Sequence, residues 1–191
     1  MELLGCALRE KRPEEALPVL EANLALLRRY WSHSGKDFRD DMLRVESCLS
    51  AVLNSLGRHD EALVLTRRIH ARRVATLGVS HESTIMEGCN LAMTLQCLEL
   101  WDESATLVRD QLLPEARRSL GTDHTITLGL NQTLADSLQD NDECTRDDLL
   151  EAETIMQDVV QRRRRVFGPA HPRTKYAEDK LTNVRMVLEA Q

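Results

Sequence analysis

The chain has 191 residues, of which 42% are hydrophobic, 29% charged and only 3% aromatic, and its formal net charge is −6. No apolar run approaches the roughly 20 residues that a membrane-spanning helix needs, so we expect no membrane segment. The opening MELLGCALREKRPEEA contains acids and no apolar stretch, so we expect no secretory signal peptide. The negative charge argues against general nucleic-acid binding.

The cysteines favour an intracellular protein with reduced thiols. They form no CxxC pair, and their odd number prevents complete pairing. They are Cys6, Cys48, Cys89, Cys97 and Cys144. We therefore expect a cytoplasmic protein, and no sequence feature indicates a catalytic thiol.

Apolar residues recur at helical spacing and predict eight helices joined by short turns. After Ala62, for example, Leu65, Ile69 and Leu77 would keep one helical face apolar over about four turns. Trp31 ends the corresponding face of the first helix. The predicted helices fall near 13–31, 39–56, 59–77, 82–99, 102–120, 125–140, 149–167 and 173–190, and residues 2–10 are the expected end of a preceding helix.

A short pattern, [LF]-G-x-x-H-x-x-T, occurs three times and indicates an internal repeat. The second interval between its histidines is slightly longer than the first. An alanine precedes each glycine of the pattern at a constant distance, and a degenerate copy of the junction lies at 31–35. The repeated positions are Gly78, His81, Thr84, Gly121, His124, Thr127, Gly168, His171 and Thr174, and the alanines are Ala62, Ala105 and Ala152.

Each position of the repeat has an expected structural role. The alanine is expected where two helices approach most closely. The glycine ends the second helix of a pair in a left-handed conformation. The histidine precedes the next helix, and the threonine in its first turn is expected to serve otherwise unpaired backbone groups.

These junctions, with Asn90-Leu91-Ala92 and the turn at 57–62, resemble tetratricopeptide repeats of the long kinesin light chain type. The resemblance implies an all-α, right-handed solenoid of antiparallel helix pairs, in which the first helix of each pair, helix A, lines a concave groove for an extended peptide or another protein. Two departures stand out, since Leu100 replaces the usual turn glycine and Pro114 should kink the second helix, helix B. The expected single array 1–191 contains a partial repeat 1–35, repeats 36–80, 81–123 and 124–170, and a capping helix 171–191.

Catalytic and metal-binding patterns are not evident, so we expect a non-enzymatic protein without cofactor or metal. The repeated histidines would lie at least about 8–10 Å apart, too far to share one zinc ion. The acidic stretch 140–151 resembles a calcium loop at some positions, but Cys144 and Thr145 occupy the fifth and sixth. An inserted acidic surface turn explains it better.

The run Arg162 to Arg165 stands at the end of a predicted helix. Cations there favour the helix dipole, so the run is interpreted as a solvated helix end. The alternative is a basic ridge that meets an acidic partner or RNA phosphates.

Candidate groove residues follow from the repeat register, taking Leu49, Ala92, Ala135 and Thr182 as equivalent anchors. The partner-binding candidates are Arg44, Ser47, Asn54, Glu87, Asn90, Thr133 and Lys180, and the same counting reaches Leu130, Ala177, Cys97, Asp140 and Val187. The amide of Asn90 could donate to and accept from a peptide backbone, or it could only satisfy a neighbouring helix.

The sequence therefore favours a protein-interaction scaffold or adaptor that binds a protein or extended peptide, with no membrane contact. The alternative is a structural subunit packed through its convex face or its ends. A helical repeat protein associated with RNA is less well supported, and the oligomeric state is left open.

Overall fold

A computed structural model describes residues 12–34 and 39–190. The expected helix at 2–10, Cys6 and Gly35 of the degenerate junction lie outside these residues. The helices are α1 (Pro13–Ser34), α2 (Arg39–Ser55), α3 (His59–Leu77), α4 (Glu82–Cys97), α5 (Trp101–Thr106), a π-helical segment (Leu107–Leu112), α6 (Leu113–Ser119), α7 (Thr125–Gln139), α8 (Arg146–Phe167) and α9 (Pro172–Ala190). No strand occurs in this part of the chain, and the all-α prediction is confirmed.

Helix α8 begins three residues before its predicted start because a capping box forms there. The Thr145 hydroxyl accepts a hydrogen bond from the Asp148 amide, and the Asp148 carboxylate accepts one from the Thr145 amide. Part of the inserted stretch is therefore helical. None of the described helices is long and apolar enough to cross a bilayer.

The chain divides into two compact units between Thr76 and Leu77. In unit 1, α1, α2 and α3 share one apolar core. Beside it, the buried carboxylate of Glu46 pairs with Arg68 of α3 at 2.9 Å. The core residues are Ala16, Leu20, Leu24, Met42, Val45, Leu49, Val52, Leu53 and Ala62.

In unit 2, α7 packs against α8, α8 packs against α9, and α4 packs against α5, α7 and the π-helical segment. The marker alanines of both units are buried, as expected for positions of close helix approach. The single continuous array stays a prediction. One expectation is wrong, since Trp31 and Leu77 are exposed and the apolar faces end a turn earlier than predicted.

The B helix of the middle repeat begins one residue farther from its junction glycine than α3 does, although the two helices are equally long. His59 stands 19 residues before Gly78, whereas Trp101 stands 20 residues before Gly121, so one extra residue lies between the helix start and the junction. The extra residue is absorbed in the π-helical segment, where the Leu113 amide donates to the Val108 carbonyl five residues back. The helix is therefore irregular directly before Pro114, where a kink was predicted.

The residue that replaces the turn glycine before this helix also differs from the predicted one. Gly57 has a positive φ of 74° in the first A–B turn, and Glu99 has a φ of 59° in the next. The Arg58 and Leu100 amides donate to the Leu53 and Leu95 carbonyls in the same way. Glu99, not Leu100, therefore takes the left-handed position of the turn glycine.

Candidate functional site

The repeated histidines each cap the helix that follows them. Nδ1 of His81, His124 and His171 accepts a hydrogen bond from the backbone amide two residues on, at 3.1, 3.3 and 3.1 Å. The three rings therefore serve three separate helix starts. The glycines before them have φ values of 84°, 93° and 86°, which are left-handed conformations.

The repeated threonines do not behave alike. The Thr174 hydroxyl donates to the Gly168 carbonyl at 2.9 Å. The buried hydroxyls of Thr84 and Thr127 have no hydrogen-bond partner in the described part of the chain. The expected bond to an otherwise unpaired backbone group is therefore made only by Thr174 among these three.

Unit 2 contains a groove of about 880 Å³. Its walls come from the A helices α4, α7 and α9 and from the end of the B helix α8. It is lined by Met86, Cys89, Asn90, Met93, Gln96, Thr125, Ile126, Leu128, Gly129, Gln132, Thr133, Asp136, Arg163, Phe167, Pro172, Arg173 and Tyr176.

The groove combines exposed apolar side chains with amides. Met86, Met93 and Tyr176 are 43%, 55% and 50% exposed. The amide nitrogen of Gln96 donates to the Thr133 carbonyl and the Ser137 hydroxyl, both at 2.8 Å. The amide of Gln96 therefore fixes α4 to α7 while its side chain lines the groove.

The acid and the thiol in the groove are not free nucleophiles. Asp136 forms an ion pair with Lys180 of α9 at 2.9 Å. Burial lowers the pKa of Lys180, but the hydrogen bond to Asp136 and nearby negative charges raise it by more. Burial raises the pKa of Cys89 to about 12, so its thiol stays protonated at neutral pH.

One arginine of the basic run turns into the groove, which corrects its interpretation as a solvated helix end. Arg162 pairs with Asp158 and Asp123. Arg164 pairs with Glu178, and Arg165 with Asp123. Arg163 is buried and lines the groove instead.

The predicted candidates divide between the two units. Asn90 and Thr133 line the groove, and Lys180 pairs with its acid. Glu87 is buried and accepts a hydrogen bond from the Asn90 amide at 3.0 Å, so the amide does satisfy its own helix. Arg44, Ser47 and Asn54 lie on α2 in unit 1. Of the further positions, Leu130 and Ala177 are core residues. Val187 is partly buried, and Cys97 and Asp140 are exposed.

The anchors used to predict these positions were one residue out of register in α2. The buried positions of α2 recur in the same order along α4, which makes Leu91, not Ala92, the equivalent of Leu49. The equivalents of Arg44, Ser47 and Asn54 are therefore Met86, Cys89 and Gln96, which do line the groove of unit 2. Sequence analysis missed Met86, Met93, Arg163 and Tyr176, although the two methionines stand two helical turns apart on one face.

The family model described as tetratricopeptide repeat matches residues 47–83 and 141–173. Each segment contains one whole B helix, α3 or α8, with the junction glycine and histidine that follow it, and ends at the start of the next A helix. The chain thus contains repeats of tetratricopeptide type in these two segments. Repeats of this kind form scaffolds for protein interaction, and that general class of function applies to this chain.

Solved structures of tetratricopeptide type match over almost the whole chain. A protein from Podosopora anserina, described as a kinesin light chain with nearly identical TPR-like repeats, is 19% identical with a TM-score of 0.77 and covers 100% of this chain and 86% of its own. A single-substitution variant of that protein is 18% identical with a TM-score of 0.78 and covers 100% and 85%. BtubC (BKLC) from P. vanneervenii is 13% identical with a TM-score of 0.70 and covers 97% and 79%.

At these identities the structural matches support the fold, and they confirm the likeness to kinesin light chain-type repeats at that level. No curated protein sequence matches this chain at a significant level.

Proposed function

We propose that the groove of unit 2 binds an extended segment of a partner protein, which makes this protein a non-enzymatic adaptor of the cytoplasm. The observation that carries the proposal is the presence of exposed Met86, Met93 and Tyr176 beside side-chain amides in one groove. Large apolar side chains that remain exposed together commonly mark an interaction surface.

The amides match the backbone of an extended chain. Such a chain presents an N–H donor and a C=O acceptor at nearly every residue. The amide nitrogen of Gln132 has no acceptor, and the amide oxygen of Gln96 has no donor, among the described residues. One donor and one acceptor are therefore left for a ligand on the neighbouring helices α7 and α4.

The apolar side chains supply adaptable contact area. Methionine is unbranched and flexible, so Met86 and Met93 can pack against ligand side chains of different shape. Tyr176 offers a ring and a hydroxyl from the opposite wall on α9. This combination suits a peptide better than a small molecule, which is normally enclosed over most of its surface.

The test compares two exposed methionines of nearly equal exposure. Met93 lines the groove, and Met186 of α9, at 57% exposure against 55% for Met93, does not. Peptides would be selected from a random decapeptide library displayed on yeast, and their affinities measured by fluorescence anisotropy. We expect Met93→Glu to weaken binding at least tenfold and Met186→Glu to leave it unchanged.

The two variants also keep the proposal falsifiable. Both would first be compared with the unchanged protein by circular dichroism, to show that each still folds. Equal binding by Met93→Glu and the unchanged protein would contradict the groove assignment. Loss of binding only in Met186→Glu would place the interaction on the outer side of α9, as the structural-subunit alternative requires.

A further inference from the structure

Two repeats place an arginine at the same buried position. Arg73 and Arg163 each stand five residues before a junction glycine, and they are 6% and 7% exposed. A guanidinium that is this far removed from water needs a compensating negative charge or several acceptors. How each repeat meets that need is different.

In unit 1 the compensating charge comes from the chain itself. Arg73 of α3 forms a hydrogen-bonded ion pair through Nη1 with the carboxylate of Asp40, the second residue of α2. Asp40 is largely exposed, so the pair lies where the arginine reaches the surface. A carboxylate at this point therefore pairs with a buried arginine of the repeat, although the Nε of Arg73 has no hydrogen-bond partner among the described residues.

The structural register identifies the residue that replaces Asp40 in the other repeats. The buried positions of α2 recur in the same order along α4 and again along α7. Asp40 is thus equivalent to Glu82 and to Thr125. The middle repeat has Glu82 but Ala116 in place of the arginine, so the third repeat alone combines the arginine with a neutral residue.

Arg163 consequently has no ion pair among the described residues. Its Nη1 donates to the Gln132 amide oxygen at 2.8 Å and to the Arg173 carbonyl at 3.0 Å, both neutral acceptors. Its Nε and Nη2 have no acceptor within the described ranges. Burial and then the charge of Arg173 lower the pKa of Arg163, and the attraction of Tyr176 and Asp136 offsets this only in part.

The one acid that lines the groove, among the residues that the structure describes, attracts Arg163 but forms no ion pair with it. Asp136, the acid that lines the groove, is already paired with Lys180. Arg173 lines the groove, lies 6.0 Å from the centre of the Phe167 ring, and makes no ion pair in the described part of the chain. Two guanidiniums therefore face this end of the groove together with Thr125.

We propose that a carboxylate of the bound segment pairs with Arg163, in the place that Asp40 takes beside Arg73. The inference rests on the proposed function, because it needs a segment in the groove. The carboxylate belongs to an aspartate or glutamate side chain or to the end of the partner chain. A planar guanidinium binds both in the same two-pronged way.

The first test supplies the carboxylate from within the chain. Thr125→Asp would place a carboxylate in unit 2 at the position equivalent to Asp40 of unit 1. We expect this variant to melt a few degrees higher than the unchanged protein. An acid in the first turn also stabilises a helix by itself, so the same substitution is made in the Arg163→Gln background. The temperature gain should be clearly smaller there, and Thr125→Asn should give no gain in either background.

The second test uses peptides selected on the unchanged protein from two decapeptide libraries, one with free carboxyl termini and one fused at both ends. Each peptide carboxylate is then replaced by its amide. We expect one replacement per peptide to weaken binding to the unchanged protein at least tenfold, and to change binding to Arg163→Gln little. The library that supplies these peptides distinguishes a terminal from a side-chain carboxylate.

The outcomes separate this inference from the proposed function. Peptides that bind in a Met93-dependent way but tolerate loss of every carboxylate would overturn the inference and leave the proposed function standing. If no peptide binds the groove, the proposed function fails. An equal effect of Thr125→Asp in both Arg163 backgrounds would then show that the site does not accept a carboxylate.

Discussion

The B helix α3 of unit 1 and the B helix of the middle repeat fulfil the same role, but only in the second does an extra residue separate the helix start from the junction glycine. α3 is a regular α-helix from His59 to Leu77, while its counterpart passes through the π-helical segment Leu107–Leu112. In both, the turn before the helix and the glycine after it keep their positions. An insertion within a helix is therefore absorbed locally and does not shift the junctions of the repeat.

The difference has a packing consequence. Leu112, in the π-helical segment, lies against Gly88 of α4, and a Cβ atom on Gly88 would overlap Cδ2 of Leu112 and stand 2.9 Å from Cδ1. The equivalent of Gly88 in α2 is Glu46, which pairs with Arg68 of α3. At this position the regular helix contacts its neighbour through an ion pair. The interrupted helix instead packs the Leu112 side chain closely against the α4 backbone at Gly88.

The largest effect is expected at Ala62 and Ala105, the buried alanines that stand 16 residues before the two junction glycines. Ala105→Arg would place a bulky charge at a buried helix contact and should cost more than about 4 kcal/mol of unfolding free energy. Ala62→Arg in α3 should do the same, since Ala62 is also buried. Thr106→Arg, at an exposed neighbouring position, should change stability by less than about 0.5 kcal/mol.

Urea unfolding followed by circular dichroism measures these differences. If Ala105→Arg folds with normal stability while Ala62→Arg does not, the interrupted helix lacks the close contact that α3 has. The two B helices would then differ in packing in their N-terminal halves as well.

A smaller loss is expected where the interrupted helix approaches α4. Gly88→Ala should destabilise the protein by about 2 kcal/mol, because the new methyl group overlaps the buried Leu112 side chain. Gly129→Ala in α7 is the matched control, since no atom lies within 4 Å of its Cβ position. It should gain up to about 1 kcal/mol from helix propensity. A Gly88→Ala protein as stable as the Gly129→Ala protein would mean that the segment can move away from α4.

Sequence reasoning recovered the helices because the apolar spacing and the Gly and His junctions are strong local signals. It could not find the π-helical segment, because two changes cancel in the spacing between Gly78 and Gly121. Relative to the preceding repeat, the part before the A–B turn is one residue shorter, and the part from that turn to the junction glycine is one residue longer. The α2 register failed for a related reason. Leu49 and Ala92 stand as far apart as Gly78 and Gly121, but equivalent positions of α2 and α4 are one residue closer together.

The groove was harder to predict than the fold. A-helix register identified Asn90 and Thr133, but the four consecutive arginines give no local sign of which one faces inward. Only the shared distance from the junction glycine links Arg163 to Arg73. The partner of that arginine, Asp40 or Thr125, is set by packing between helices and is invisible without the structural register.

The starts of the B helices provide a further comparison, with an expected effect of roughly 1 kcal/mol. The N-cap residue Leu100 of α5 makes no side-chain hydrogen bond, whereas Thr145 and Asp148 cap α8. Hydrogen bonds from the Thr145 hydroxyl and then from the Thr145 amide hold the pKa of Asp148 below its ordinary value. The ionised carboxylate therefore stabilises the fold above the unfolded-state pKa, and this contribution is lost as pH falls through the lower folded-state pKa.

Asp148→Asn should accordingly reduce stability at neutral pH, and the difference from the unchanged protein should vanish in strong acid. Urea unfolding between about pH 2 and pH 7 measures it. Asp102→Asn, in the first turn of α5, is the control without a capping box. A difference that persists unchanged at the lowest pH would show that the Asp148 carboxylate does not act through its charge.

The smallest effect is expected from Pro114→Ala, which asks whether the insertion or the proline causes the π-helical segment. Proline cannot donate to the carbonyl four residues back, so it could loosen the helix by itself. If the extra residue is the cause, Pro114→Ala should keep the segment and change stability by less than about 1 kcal/mol. Deleting the exposed Gln111 together with Pro114→Ala should then give a continuous α-helix, with the Leu113 amide bonded four residues back. Amide hydrogen exchange and nuclear Overhauser contacts report that bond, and a continuous helix in Pro114→Ala alone would identify the proline as the cause.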